Sequence, residues 1–414
     1  MRTSILALLL PACGWFSNPP AAPPAEPPKP APVMRESHGT EQDLADTLAF
    51  FATRPQEETA LVPGLGPVEG VGGRSAEVCG SCHQAIYEEW QVSTHRHAWN
   101  DPQFQKEITK SGNTWLCRNC HTPTLLQQPV WPVGLVDGDV EAPILVDNPG
   151  YDPELMDQGI TCVACHVRDG QIHGPGLPDS TAPHPVQTDP QYRSAALCER
   201  CHQAEQTYPG KGFVCTFTTG KEWRASPQHE DGETCVTCHM PAVERPVAVG
   251  GPVREVRRHW FKGSGIPKFA GQAPPDDAPP GPGLALEPVV GEGILTLKVR
   301  NEGAGHMLPS GDVERWVQLD VRFVDGAGDA VGEPWQHRFG QVWEWWPEPR
   351  RKSDNRLAPK EERALEVVIP QGAQVAVVEA SNHRMSAETA SYHELGDYPR
   401  SVRTHRLEVP LSGP

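Results

Sequence analysis

Five times the chain repeats two cysteines three positions apart with a histidine immediately after the second. The copies are Cys79-Gly80-Ser81-Cys82-His83, Cys117-Arg118-Asn119-Cys120-His121, Cys162-Val163-Ala164-Cys165-His166, Cys198-Glu199-Arg200-Cys201-His202 and Cys235-Val236-Thr237-Cys238-His239. Two thiols at this spacing can add to the two vinyl groups of one haem, and the adjoining histidine is then placed to bind the iron from one face. A zinc site pairs two Cys-x-x-Cys units and has no need of a histidine after each. A redox dithiol occurs once, on a strand-helix turn, and a disulfide scaffold would not repeat the histidine. The pattern predicts five covalently attached c-type haems. Cys79, Cys82, Cys117, Cys120, Cys162, Cys165, Cys198, Cys201, Cys235 and Cys238 would carry the thioethers. His83, His121, His166, His202 and His239 would bind the irons.

Each iron has a second axial position, and twelve further histidines are available. His95 closes Trp90-Gln91-Val92-Ser93-Thr94-His95, with His97 as its substitute. His173 follows His166 by seven residues. His184 stands in Pro183-His184-Pro185 before the fourth motif. His259 lies in Arg257-Arg258-His259-Trp260-Phe261, and His306 in Gly305-His306-Met307-Leu308-Pro309-Ser310-Gly311. His95, His173, His184, His259 and His306 are the candidate distal ligands, with His229 in reserve. Methionine is scarce, and Met240 and Met307 both adjoin a histidine, so bis-histidine haems are expected. Two imidazoles saturate an iron, and such a haem passes electrons.

The elements that must position these residues follow from spacing. Motif starts lie 36 to 45 residues apart, too close for separate cytochrome domains, which need more than about 50 residues each. The haems must therefore form the core, wrapped by helices and loops. Beyond a Pro/Gly stretch at 272–285 the pattern changes. Leu295, Leu297 and Val299 alternate with polar residues, as do Val317, Leu319, Val321 and Phe323. This period of two, with turns such as Asp325-Gly326, predicts antiparallel strands. The expected fold is α + β and multidomain: a mostly helical and loop pentahaem domain built around stacked haems at 41–271, then an immunoglobulin-like antiparallel β-sandwich at 286–414.

The chain has 414 residues and a formal net charge of -17. Without a basic footprint, nucleic-acid binding is not expected; basic redox partners suit an acidic surface. Met1-Arg2, the apolar run Ile5 to Leu10, and Leu10-Pro11-Ala12-Cys13 read as an export signal over 1–13. Its ending resembles a bacterial lipobox with Cys13 lipidated. Gly14 in place of Asp implies outer-membrane sorting. A Pro/Ala-rich spacer at 14–40 would tether the globular body. The expectation is an exported lipoprotein, membrane-bound through its lipid, on the periplasmic face of the outer membrane or the cell surface.

Several phrases resemble the multihaem cytochromes related to cytochrome c554 and hydroxylamine oxidoreductase. They are Trp90-x-x-Ser93-x-His95, Gly159-Ile160-Thr161-Cys162 with His173 downstream, and Cys235 to Pro241, which ends Cys-His-Met-Pro. Glu222-Trp223-Arg224-Ala225-Ser226-Pro227 echoes the first phrase and hints at an internal duplication. Gly305 to Gly311 resembles the entry to a β-domain appended to some of these cytochromes. The resemblance implies closely packed haems and not a reaction. Cys-x-x-Cys-Lys, the catalytic motif of pentahaem nitrite reductases, does not occur, and hydroxylamine oxidoreductases carry eight haems against five motifs here. The leading expectation is an electron carrier. The alternatives are an oxidoreductase of small nitrogen or sulfur compounds with one open haem, and a structural subunit of an extracellular electron conduit. The role of Cys215, the donor and acceptor, and the oligomeric state are not set by these residues.

Overall fold

The structure is a computed structural model and describes residues 32–36, 39–59, 67–110, 115–176, 182–208, 213–272, 283–344 and 349–411. The export signal with Cys13, nearly all of the Pro/Ala segment and most of the 272–285 stretch lie outside the described residues.

From Glu41 to Gln272 the chain consists of short helices and small two- and three-stranded ladders. Its apolar clusters are small. Phe51, Trp115, Leu125, Trp131 and Val146 form one, and Val68, Leu155, Val163 and Val167 another. The motifs sit on short helices: Ala76–Gly80, Trp115–His121, Cys162–His166, Ala196–His202 and Cys235–His239. In the first, the His83 N–H donates to the Cys79 carbonyl at 2.9 Å and completes the turn. A helical turn brings positions i, i+3 and i+4 to one face, so both thiols and the imidazole of each motif project together.

After Gly283 the chain builds two antiparallel sheets. Leu284–Val290, Ile294–Asn301 and Glu362–Val368 form a three-stranded sheet in that order. Arg350–Asp354, Ala330–Glu344, Trp316–Val324, Val375–His383 and Ser401–Pro410 form a five-stranded sheet in that order. Alternation along the strands decides which side chains point inward. Leu295, Leu297 and Val299 from one sheet and Val317, Leu319, Val321, Phe323, Phe339 and Val378 from the other are buried in a single cluster. This is where the apolar core of the molecule sits.

The sheets pack against the motif region at two seams. In one, the buried Arg356 donates to Glu222 at 2.9 Å, and the Ser310 hydroxyl donates to the same carboxylate at 2.6 Å. In the other, Tyr398 donates to Asp101 at 2.6 Å, Lys268 pairs with Asp101, and Arg384 donates to the Ile266 carbonyl at 2.8 Å and bonds Tyr398. Lys106 adds a peripheral ion pair to Glu394 at 3.1 Å.

Candidate haem-binding site

Four of the five motif histidines face a second histidine. The ring centres of His83 and His184 are 6.3 Å apart, those of His95 and His202 6.3 Å, those of His166 and His259 6.2 Å, and those of His239 and His306 6.2 Å. A metal–imidazole bond is about 2.0 Å and the ring centre lies about 1.1 Å beyond the nitrogen, so two imidazoles on opposite sides of one metal have centres about 6.2 Å apart. Each pair stands at that separation.

Ring tautomers agree with metal binding. Nδ1 of His83 lies 2.9 Å from the Val247 carbonyl, that of His121 2.7 Å from Ala98, and that of His166 2.9 Å from His173. His239 bonds the Lys262 carbonyl, His259 that of Arg257 at 2.9 Å, and His306 that of Met307 at 2.9 Å. A carbonyl only accepts, so Nδ1 carries the proton and Nε2 keeps a lone pair for a metal. Burial, then the neighbouring His202, His239 and His259, pushes the pKa of His95 down to about 3. Burial first brings His121, His202 and His259 to about 4. These imidazoles are neutral at physiological pH, as ligands must be.

The motifs also lie close together. Cys79 lies beside Cys162, Cys120 beside Cys201, and Cys198 beside Cys235. The first motif thus adjoins the third, and the fourth adjoins both the second and the fifth. Cys82 and Cys238, in the first and fifth motifs, are exposed, while the other eight are partly buried. A buried Arg118 guanidinium, its pKa lowered by burial, leaves Nε without a partner. A buried cation calls for an anion, and haem propionates are anions. Thiol pairs, facing neutral imidazoles and an unmatched guanidinium fit covalent haem.

Two glycines allow the distal segments to approach. Gly70 has φ +72°, and a Cβ there would stand 2.9 Å from the His184 Cα. Gly159 has φ +62°, and a Cβ there would meet the His95 carbonyl at 2.8 Å. Both need a left-handed backbone and no side chain. Gly159 thereby explains why Gly-Ile-Thr precedes the third motif: Ile160 N–H donates to that carbonyl at 3.0 Å.

Of the five distal candidates, His95, His184, His259 and His306 face motif rings. His173 makes no such ring contact with a motif histidine among the described residues. It lies on the Gln171–Gly174 strand, whose backbone turns the His173 carbonyl toward His166, while its ring lies 3.7 Å from Asp189. His97 packs edge-on to Phe269, and His229 packs at 4.3 Å from Trp223. Phe104 stacks flat on His121 at 3.6 Å and 2°. Among the described residues no histidine ring faces His121. Residue-by-residue reading also missed Glu89, which holds the His259 segment: Arg245 donates to it at 2.6 and 2.7 Å, Arg258 at 3.0 Å, and the His259 N–H at 2.9 Å. Its signal was a glutamate inside an otherwise amphipathic helix, Gln84–Gln91, beside the buried Trp90.

Residues 78–134, which hold the first two motifs, match the family described as cytochrome c554 and c-prime. The fold resembles a penta-haem cytochrome c552 from Thermochromatium tepidum, with a TM-score of 0.58 and 18% sequence identity over 86% of this chain and 100% of that one. No curated protein matches the chain. The chain has the fold of a multihaem c-type cytochrome. Its matched segment is of the c554 type.

Proposed function

We propose that the protein is an exported, lipid-anchored pentahaem electron carrier. The observation that carries this reading is the set of four histidine pairs at 6.2–6.3 Å, each containing one motif histidine. Haem supplies one-electron chemistry at potentials tuned by its ligands, burial and nearby charge. The chain's own part is to hold imidazoles on both faces, keep them neutral, and crowd the motifs so that electrons pass between neighbours. The redox partners are then proteins, drawn by an acidic surface, with the membrane reached through Cys13. The paired sheets are read as an immunoglobulin-like sandwich on the strength of their shared core and antiparallel order. Low-spin spectra for the paired haems test the assignment; a high-spin signal from more than one haem would overturn it.

A second reading is favoured by one residue. His121 has a stacked Phe104 beside it and no facing histidine among the described residues, so the second haem is the place for an open iron and a small ligand. Carbon monoxide titration of the reduced protein should then bind about one equivalent. Binding that disappears in a His121 variant, and is unchanged in His173→Ala, places the open iron there. No binding leaves the carrier reading alone.

A further inference from the structure

Two five-residue phrases, Glu89-Trp90-Gln91-Val92-Ser93 and Glu222-Trp223-Arg224-Ala225-Ser226, make the same contacts in the fold. Each tryptophan N–H donates to the carbonyl two residues before a haem motif. Trp90 bonds Ile160 at 2.8 Å, ahead of Cys162, and Trp223 bonds Glu233 at 3.0 Å, ahead of Cys235. Each serine N–H bonds the tryptophan carbonyl at 2.9 Å. Each serine Oγ accepts the N–H three residues on, from Arg96 at 3.3 Å and from His229 at 3.2 Å.

The glutamates complete the parallel. Their side chains are 6% and 9% exposed. Glu89 accepts the His259 N–H, and His259 faces His166 of the motif that Trp90 supports. Glu222 accepts the N–H of Met307 at 3.3 Å and the hydroxyl of Ser310, both just after His306, which faces His239 in the motif that Trp223 supports. Arginines brace both carboxylates: Arg245 and Arg258 on Glu89, Arg356 on Glu222.

We propose that these are two copies of one haem clamp, in which the tryptophan fixes the proximal motif and the glutamate is the positioning residue for the distal histidine of the same haem. The copies diverge two residues after the serine. The first has His95, which faces His202 of the following motif. The second has Gln228, whose Oε1 is buried without a partner, and no motif follows the fifth in the chain. Only the first copy thus presents a histidine to the ring of another motif. The second clamp closes across the seam between motif region and sheets, so the β-strands help to assemble the fifth haem.

The inference rests on haem ligation by the paired histidines, and the experiment separates the two ideas. Four variants of the full holoprotein are compared by visible and paramagnetic-resonance spectra and by carbon monoxide uptake: Glu89→Ala, His259→Gly, Glu222→Ala and His306→Gly. Each glutamate variant should weaken its distal ligation by about 10- to 100-fold, as loss of an outer-shell partner does. Each should add carbon monoxide binding at one haem over wild type. Glu89→Ala combined with His259→Gly should add nothing beyond His259→Gly alone, whereas Glu89→Ala combined with His306→Gly should open two haems. If the histidine variants open haems and the glutamate variants leave spectra and uptake unchanged, the clamp is wrong. If His259→Gly and His306→Gly open nothing, the ligand reading itself fails. Should a glutamate variant not mature, Arg258→Ala and Ser310→Ala each remove one bond. A shift confined to the third or fifth haem potential, respectively, supports the clamp, and unchanged potentials overturn it.

Discussion

Removing a histidine that faces a motif ring should open one iron and no other. For His184→Gly the expected outcome is a single new high-spin haem, read from the visible spectrum, with the first motif affected because His184 faces His83. His173→Ala should leave the spectrum unchanged, since its ring sits beside Asp189 and only its backbone carbonyl, which any residue supplies, serves His166. The motif cysteines and proximal histidines were legible because their chemistry is local, three and four positions along one helical turn. Distal ligands were half legible. His95, His184, His259 and His306 stood out by their neighbours, but their partners did not. His95 meets His202 across more than a hundred residues, and no local rule encodes such a meeting. His173 differs: its backbone carbonyl, on a short strand, meets His166, and its ring stands beside Asp189.

At the scale of elements, the short helix Pro102–Lys110 illustrates how charge is stored in the seam. Burial, then Asp312 from the sheet side, raises the Glu107 carboxyl to about 7, with Glu314 and Asp101 adding to the rise; a bond from Gln103 at 2.8 Å opposes it. The folded pKa thus exceeds the unfolded value. The stabilising contribution is complete below the unfolded pKa, declines as pH rises, and is gone above about 7. Thermal melting between pH 5 and 8 should show stability falling with pH, and Glu107→Gln should flatten that fall; an unchanged slope would remove Glu107 as its source. The strands obey simpler rules. Phe339, fully buried between the sheets, should cost about 3–5 kcal/mol when replaced by alanine, measured as a lower melting midpoint with the haem spectrum preserved. Here alternation alone predicted which residues point inward.

For the whole molecule, mass spectrometry of the exported protein should show five haem additions, and Cys13→Ser should release it from membranes. On the proposal that paired histidines close four haems, turnover of nitrite, hydroxylamine or tetrathionate should be negligible against ready exchange with artificial electron donors. Turnover above that of free haem would move the weight to the second motif, where His121 stands without a facing histidine among the described residues. His306, by contrast, is held by the Met307 carbonyl and by a segment bonded to Glu222. The sequence by itself pointed to c-type haem chemistry and to a strand-rich C-terminal region, because each depends on residue types at short, fixed spacing. Only the tertiary structure decided which histidines face each other, which motifs adjoin, and that the sheets reach back to present a ligand. Those are contacts between segments far apart in the chain, and they are settled by packing and buried charge rather than by period or spacing.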